Sequence, residues 1–305
     1  MNRACDALTW LPSESGGGPA FYGRVERFRI GEVEFRCSFE RGSEPNRFYI
    51  RKPRRLVEGY LAVFDRFPEA NVVELGIMEG GSVALAALAA RPRKVVALEL
   101  EPERVDALDT LVARHGLDQR VRPYYGVDQS DRARLGAILA DEFGDEHLDL
   151  VIDDASHRLE PTRTSFETLF PRLRDGGLYL IEDWNWQIKD WNWQIRSATA
   201  VPERHRDPPK AKFERRLSGG SRWRAHRGRR RSRPKVAAER PEPPLPALVV
   251  ELVLATAESD EFVSEVTVGP GWVGVRRGSG QLDPETFRLA DLYTDHLGLL
   301  PSREG

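Results

Sequence analysis

The sequence predicts a doubly wound α/β fold, in which a mostly parallel sheet carries helices on both faces and is closed by an antiparallel hairpin. Residues 71–183 alternate short apolar, β-branched runs with helical stretches, as parallel sheets with crossover helices do. A later pair of strand-like runs is separated only by Gly269, Pro270 and Gly271, and so tight a turn joins antiparallel strands. With 40% hydrophobic residues in 305, the chain can fill a large core.

The apolar runs and turn residues predict the strands and helices in chain order. Five parallel strands are expected at NVVEL, KVVALEL, RVRPYYG, LDLVID and GLYLIE. Helices are expected to begin near four positions that favour helix starts: Ser82, Pro102, Ser130 and Glu160. Gly176 and Gly177 are expected to end the helix before the fifth strand. Beyond residue 244 we expect a helix at LPALVVELVLATA, antiparallel strands at EFVSEVTV and WVGVRR, and a last helix at DPETFRLADLYTDHLG.

The chain is expected to divide into three parts. Residues 1–60 suggest a partly strand-forming arm, followed by an amphipathic helix, PRRLVEGYLAVFDRF, that packs on the sheet. Residues 61–183 and 246–305 together form the main domain. Residues 184–245 form an Arg- and Pro-rich insert, whose composition and lack of apolar periodicity predict disorder.

Composition also bounds the function. The amino terminus carries charge where a signal peptide needs apolar residues, and no run approaches the roughly 20 apolar residues of a membrane span. Cys5 and Cys37 cannot form a disulfide framework and lack metal-ligand spacing. A cytoplasmic protein without a membrane partner is therefore the expectation. Between Glu203 and Arg240, 15 basic residues face four acids, about +11 in a chain of net charge −2, so the remainder is acidic.

The turn after the first parallel strand indicates a ligand without phosphates. In an open α/β sheet, ligands bind at the carboxyl ends of the strands. The turn VVELGIMEGGS lacks the G-x-G-x-x-G spacing that brings backbone N–H groups to a pyrophosphate. Its candidate cofactor-binding residues are Glu74, Gly76, Gly80, Gly81 and Ser82.

Acidic and polar residues at the ends of the next two strands complete the expected ligand-binding site. Glu99 ends the second strand, where an acid can accept both hydroxyl hydrogens of a ribose. Asp128, Gln129 and Ser130 follow the third strand, where a purine edge would lie. Alone, Glu99 could be a solvated strand end and the Asp-Gln-Ser run a helix cap. Their order on successive strands predicts S-adenosylmethionine.

With these residues, the chain resembles the class I S-adenosylmethionine-dependent methyltransferases, whose Rossmann-like sheet has seven strands. The resemblance runs from about Asn71 to Arg277 without the basic insert. The segments VVELGIMEGGS, GVDQSD, VIDDASH, FPRLRDGGLYLIEDW and LVVELVLA are similar to the antibiotic-biosynthesis branch, which includes macrolide and deoxysugar O-methyltransferases and cephalosporin-hydroxylase-like proteins. The resemblance implies methyl transfer to a hydroxyl, in several members with magnesium.

Carboxylates gather where the fourth and fifth strands end, in VIDDASH and LIEDW. So many like charges need a partner, and magnesium, which takes oxygen ligands and keeps several waters, would provide one. The candidate metal ligands are Asp154, Glu182 and Asp183. Asp153 is expected to face the cofactor or hold the loop. The alternative is that an arginine, Arg158 or Arg163, neutralises the cluster.

His157 lies on the same loop, three residues after Asp154. A histidine can take a hydroxyl proton near neutral pH, and the resemblance implies that this D-x-x-H histidine is the general base. The alternative is that it merely caps the helix near Glu160. No G-x-S-x-G or well-placed cysteine indicates covalent catalysis.

Residues 183–196 contain one heptad twice, DWNWQIK and DWNWQIR. Two heptads are too few for a coiled coil, so a short duplication that lengthens a lid is the interpretation. We expect the first copy to supply Asp183 and an aromatic wall, and the second to be dispensable. The basic insert could be a solvated lid, a clamp for an anionic substrate or nucleic acid, or a contact to the acidic body of the chain.

The sequence therefore predicts an O-methyltransferase that acts on a hydroxylated small molecule, a natural product or its sugar. Two other classes remain open: a nucleic-acid-associated methyltransferase or binding protein that uses the arginines, and a cofactor-binding protein without this chemistry. A homo-oligomer is possible.

Overall fold

The computed structural model describes residues 4–15, 23–186, 243–296 and 298–300. The described residues belong to one unit, and residues 187–242 form a second unit that lies outside them. The predictions for the basic insert and for the second heptad copy therefore fall outside the described residues. None of the helices in the described ranges is long and apolar enough to cross a membrane.

The described unit contains two sheets and six α-helices. The strands are β1 (Leu8–Glu14), β2 (Val25–Ile30), β3 (Val33–Cys37), β4 (Arg47–Ile50), β5 (Asn71–Leu75), β6 (Lys94–Glu99), β7 (Val121–Tyr125), β8 (Leu148–Asp153), β9 (Leu173–Glu182), β10 (Val263–Val268) and β11 (Trp272–Arg277). The helices are α1 (Arg54–Arg66), α2 (Gly81–Leu85), α3 (Asp106–Arg114), α4 (Arg132–Phe143), α5 (Leu159–Leu169) and α6 (Pro246–Glu258). A π-helical turn, Ala86–Ala90, continues α2.

The larger sheet confirms the predicted fold class. Its order is β10-β11-β9-β8-β5-β6-β7. The five strands from β5 to β9 pair in parallel, and the hairpin of β10 and β11 adds to β9 antiparallel. All five parallel strands thus present their carboxyl ends at one edge, where a ligand site is expected.

The amino-terminal arm forms a four-stranded sheet in the order β1-β2-β3-β4. Its inner face carries the rings of Phe28, Phe35 and Phe48, which stack on one another at centroid distances of 4.7 and 5.9 Å. These rings share one hydrophobic core with α1, α2 and α3. The arm therefore covers one face of the larger sheet.

Alternate strand residues supply two separate cores, as a sheet covered on both faces requires. Val72 of β5 faces the core shared with the arm, and its neighbour Val73 faces the core formed with α4, α5 and α6. In β9, Leu180 and Ile181 divide in the same way. This period of two is the physical basis of the doubly wound architecture.

The helix predicted to begin at Pro102 begins instead at Asp106. The intervening chain is held by β7, because the Tyr125 hydroxyl accepts a hydrogen bond from the Val105 N–H at 3.2 Å and the Gly126 N–H donates to Glu101. The prediction was wrong because contacts from a neighbouring strand outweighed the local preference of proline.

Gly176 and Gly177 do not end a helix, because both lie inside β9. Helix α5 ends at Leu169 and a 3-10 turn follows over Phe170–Arg172, with Pro171 at its start. A Cβ on Gly177 would lie 2.9 Å from the Arg174 carbonyl oxygen. Gly177 therefore serves a close approach within the strand and Gly176 a positive φ of 70°, rather than a helix cap.

The last predicted helix, residues 283–298, is also wrong: the only helical element described there is a 3-10 turn over Leu289–Leu292. The Asp283 carboxylate accepts from the Glu285 N–H and the Thr286 hydroxyl, a local turn that competes with helix. Phe287 and Leu289 then enter the core beside α5 and α6. Between these two buried side chains Arg288 is extended, so the 3-10 turn begins only at Leu289.

Two helical glycines offer a matched test of how α1 packs on β11. A Cβ on Gly59 would lie 2.5 Å from the Trp272 ring, whereas a Cβ on Gly136 of α4 would meet nothing within 4 Å. We expect Gly59→Ala to lower the free energy of unfolding by about 1–3 kcal/mol, because the ring must move. We expect Gly136→Ala to raise it by about 0.5–1 kcal/mol through helix propensity. Urea unfolding measures both, and equal stabilisation by the two variants would contradict the packing of α1 against Trp272.

Candidate active site

The predicted cofactor turn follows β5 and touches the tip of β8. The Gly76 N–H donates to the Leu98 carbonyl at 2.8 Å, and the Asp154 N–H donates to the Leu75 carbonyl at 2.9 Å. Gly76 has a φ of +96°, and a Cβ there would lie 2.4 Å from the Asp154 carbonyl oxygen. Only glycine fits this conformation and this contact, so the turn and the β8 loop form one continuous surface.

The start of α2 lies in close contact with the arm. Gly80 is the N-cap with a φ of +78°, and a Cβ on Gly81 would lie 2.3 Å from the Tyr49 carbonyl oxygen. Ser82 is buried in the first turn. The predicted glycines therefore let β4 approach the helix start, which places the arm next to the site.

Glu99 lies at the tip of β6, where the sequence placed it, and binds the glycine turn. Its Oε2 accepts from the Ile77 N–H at 2.9 Å and the Met78 N–H at 2.7 Å. Its Oε1 accepts from the Glu101 N–H at 3.2 Å. Met78 has a positive φ of 49° and is exposed. Glu99 thus shapes the turn, and its binding to a ribose stays a prediction.

Asp128, Gln129 and Ser130, in the loop after β7, make two different kinds of contact. Asp128 accepts from the Ser130 N–H at 2.8 Å and the Ser130 hydroxyl at 2.6 Å, and these hydrogen bonds hold the pKa of Asp128 below its ordinary value. The N-cap of α4 is Asp131, which accepts from the Arg134 N–H. Gln129 points inwards: its Oε1 accepts from the Ser156 N–H at 2.9 Å.

Asp153 is buried beneath the site in a hydrogen-bonded network. It accepts from the Ser165 hydroxyl at 2.7 Å, the Tyr179 hydroxyl at 2.9 Å and the Gln129 amide at 3.2 Å. Burial raises its pKa, and the hydrogen bonds from Ser165 and Tyr179 oppose that rise. Of the two roles expected for Asp153, the structure shows contacts that hold the loop, since Gln129 also binds the backbone of Ser156.

Glu74 is the one predicted cofactor residue whose carboxylate lacks partners. Its side chain is fully buried, and neither oxygen has a hydrogen-bond partner among the described residues. Burial raises the pKa of Glu74 to about 7, although the nearby Ser82 and Lys52 lower it by less. A ligand with a donor group would satisfy this carboxylate.

The carboxylates of β8 and β9 have a partner that the sequence analysis missed. Lys52 Nζ lies 2.7 Å from Asp154 Oδ2 and 2.7 Å from Glu182 Oε1. The two carboxylates raise the pKa of Lys52 above its ordinary value, although burial alone would lower it. Arg163, one of the two arginines proposed as a counter-charge, pairs with Glu251 instead. Because Lys52 is 102 residues from Asp154 in the chain, no local pattern indicated the pair.

His157 and two acids form a second group on the outer side of this ion pair. One ligand atom each from Asp154, His157 and Asp183 lies within 4.8 Å of the others. His157 Nε2 is 3.8 Å from Asp154 Oδ1. His157 and Asp183 both have positive φ, 53° and 46°. The structure thus brings together two of the three predicted metal ligands with the predicted base, whereas Glu182 is paired with Lys52.

The first heptad copy docks against the hairpin and the His157 loop. The Trp184 indole N–H donates to the Gly269 carbonyl at 2.8 Å, and the Asp183 N–H donates to Gly271. The Trp186 indole N–H donates to the His157 carbonyl at 3.1 Å. These indole contacts position the loop that bears His157, a role that the repeat pattern did not indicate.

Part of the chain that carries the site matches a known protein family. Residues 73–184 match the model of a family described as a methyltransferase domain. Demethylmacrocin O-methyltransferase of Streptomyces fradiae is 46% identical over 76 residues, which are 25% of this chain and 18% of that protein. Mycinamicin VI 2''-O-methyltransferase of Micromonospora griseorubida is 44% identical over 80 residues, 26% of this chain and 19% of that protein. The matched segment thus spans less than a fifth of each relative.

Among solved structures, the methyltransferase MycE of the mycinamycin pathway, in complex with Mg, SAH and mycinamycin VI, is similar. It is 22% identical, with a TM-score of 0.45, and the match covers 74% of this chain and 51% of MycE. The O-methyltransferase TomG from Streptomyces achromogenes is 15% identical, with a TM-score of 0.41, over 74% of this chain and 79% of TomG. The family match and the seven-stranded sheet that contains it identify residues 73–184 as a methyltransferase domain of the class I, S-adenosylmethionine-dependent type.

Proposed function

We propose that this protein transfers the methyl group of S-adenosylmethionine to a hydroxyl of a small natural product or of its sugar, with His157 as the general base. One observation carries the proposal. The loop with His157 abuts the glycine turn, because the backbone of Asp154 binds Leu75 and contacts Gly76. A base on this loop lies beside the expected cofactor.

The expected cofactor site runs along four strand tips. Glu74 offers an unpaired carboxylate for the ammonium group of the methionyl part. The glycine turn and Glu99 offer the surface for the ribose. Asp128 and Ser130 offer polar groups for the adenine edge, whereas Gln129 points inwards and is held by Asp153 and Ser156.

The proposed chemistry requires little from the protein beyond alignment and one proton transfer. The cofactor supplies an electrophilic methyl group on a sulfonium. The acceptor oxygen attacks the methyl carbon as the C–S bond breaks, and His157 takes the hydroxyl proton. Trp186 holds the His157 backbone, and Asp154 Oδ1 lies 3.8 Å from His157 Nε2.

Magnesium is the metal that the sequence predicts, and the outer group fits a divalent ion in part. Asp154 and Asp183 would hold it beside His157, since Mg²⁺ prefers oxygen ligands and His157 is the proposed base. When bound, such an ion would orient the acceptor hydroxyl and favour its ionisation. Glu182, predicted as the third carboxylate ligand, is occupied by Lys52.

The names of the curated relatives indicate an acceptor class. They are methyltransferases of demethylmacrocin and of mycinamicin VI, and others act on rhamnosyl groups of tetracenomycins. We infer by likeness a hydroxyl of a sugar-bearing natural product. The nucleic-acid alternative rests on residues 187–242, which lie outside the described residues, and oligomeric state and cellular location stay predictions.

A label-transfer assay tests the proposed reaction. Protein is incubated with methyl-labelled S-adenosylmethionine and a panel of macrolide and rhamnosyl glycosides. We expect transfer to at least one glycoside, and we expect His157→Ala to reduce its rate about 100-fold or more through loss of the base. His147→Ala is the control, because His147 is exposed at the start of β8 and far along the strand from the site. Undiminished transfer by a folded His157→Ala variant would remove His157 from the mechanism.

The pH dependence of cofactor binding tests the role of Glu74. Below about pH 7, Glu74 is protonated in the free protein, so an ammonium group must displace its proton on binding. Affinity for S-adenosylmethionine should therefore rise between pH 5.5 and 7.5, by up to about tenfold per pH unit below the pKa. Glu74→Gln should flatten this rise. Calorimetric titrations at several pH values measure it, and parallel curves for the two proteins would exclude Glu74 as the ammonium acceptor.

A further inference from the structure

Lys52 is fixed between two carboxylates at the centre of the candidate site. Its side chain is 3% exposed, and Nζ makes contacts of 2.7 Å to Asp154 and to Glu182. A third side of the ammonium faces the Tyr60 ring, 4.9 Å from the centroid. Two ion pairs and a cation–π contact define one position for the charge.

The backbone around Lys52 is also restrained. Lys52 lies two residues after β4, and the next residue, Pro53, is the N-cap of α1 with a φ of −66°. The side chain thus projects from the junction of two packed elements. Its placement is therefore set by the junction of β4 and α1.

The two carboxylates that bind the Lys52 ammonium are spaced as ligands of a divalent ion could be. Asp154 and Glu182 are bonded to the same Nζ atom, so their bonded oxygens are at most twice 2.7 Å apart. A divalent ion between neighbouring strand tips would bind such a pair, with Mg²⁺–O distances of roughly 2.0–2.1 Å. The ammonium bridges the pair through hydrogen bonds at a wider spacing, and its single positive charge offsets one of the two negative charges.

We propose that Lys52 is a built-in cation that takes the place of a divalent ion between Asp154 and Glu182 and fixes the Asp154 carboxylate beside His157. Glu182 is then a partner of Lys52 and not a metal ligand. Any divalent ion that binds uses only the two acids of the outer group, Asp154 and Asp183. Lys52 is a positioning residue, and its role in methyl transfer rests on the proposed function.

Divalent-cation affinity provides a test that does not depend on turnover. Mn²⁺ and Mg²⁺ are titrated calorimetrically into wild type, Lys52→Met, Glu182→Gln and the double variant. We expect Lys52→Met to bind Mn²⁺ at least about tenfold more tightly than wild type, because two carboxylates become free. Glu182→Gln alone should bind within about threefold of wild type. The double variant should lose the gain, which makes the effect a coupling between positions 52 and 182.

Thermal unfolding gives a second readout. Lys52→Met leaves a buried carboxylate unpaired and should be destabilised, and millimolar Mn²⁺ should restore part of its Tm because the ion binds the folded state. Lys52→Arg keeps the charge and should show no gain in metal affinity. A merely structural lysine would give a Tm loss that metal does not reverse.

Two results would overturn the proposal. Glu182→Gln in the otherwise wild-type protein could weaken Mn²⁺ binding tenfold or more, which would make Glu182 a ligand despite Lys52. Folded Lys52→Met could gain no affinity. The Glu182→Gln result decides the matter even if Lys52→Met does not fold. Titration of S-adenosylmethionine into the same preparations with a chelator present separates failure of this proposal from failure of the proposed function, since it measures the cofactor site without a metal.

Discussion

The ion pairs of Lys52 with Asp154 and Glu182 connect three parts of the candidate site. Lys52 comes from the arm, Asp154 from the loop after β8, and Glu182 from the end of β9. Lys52 and Glu182 are both buried, and leaving either charge without its partner would be costly. The arm sheet, the two central strands and the His157 loop are therefore held in one arrangement.

Two further sets of contacts build on that arrangement. Beneath the site, Asp153 collects hydrogen bonds from Gln129, Ser165 and Tyr179, which ties the loops after β7 and β8 to α5 and β9. Above it, Trp184 and Trp186 join the hairpin turn to the His157 loop. The expected cofactor surface and the proposed base thus rest on rigid neighbours, which alignment for in-line transfer requires.

Regular patterns allowed much of the fold to be predicted from the sequence. The β-branched runs of β5 and β8 match the structure residue for residue, Asn71–Leu75 and Leu148–Asp153, because buried parallel strands consist of continuous apolar runs. The hairpin and the long helix α6 were predicted for similar local reasons. The wrong elements, near Pro102 and after Asp283, are segments where tertiary contacts override local preference.

Some residues of the candidate site could likewise be predicted from local patterns, and others could not. Glu74, Glu99 and His157 could be found because each follows a recognisable strand or loop pattern. Lys52 could not, since its partners are more than 100 residues away in the chain and nothing in its own segment indicates a buried charge. The network of Ser165 and Tyr179 was missed because a hydroxyl that serves a distant carboxylate looks like any other helix or strand residue.

The most direct test of this account is a crystal structure of the protein grown with S-adenosylhomocysteine and millimolar MgCl₂. The account predicts the adenosyl group along the tips of β5, β6 and β7, with Glu74 near the methionyl nitrogen and Lys52 Nζ still between Asp154 and Glu182. A Mg²⁺ ion between those two carboxylates with Lys52 displaced would contradict the role of Lys52. Absence of the ligand from these strand tips, with density for it elsewhere, would contradict the methyltransferase site itself.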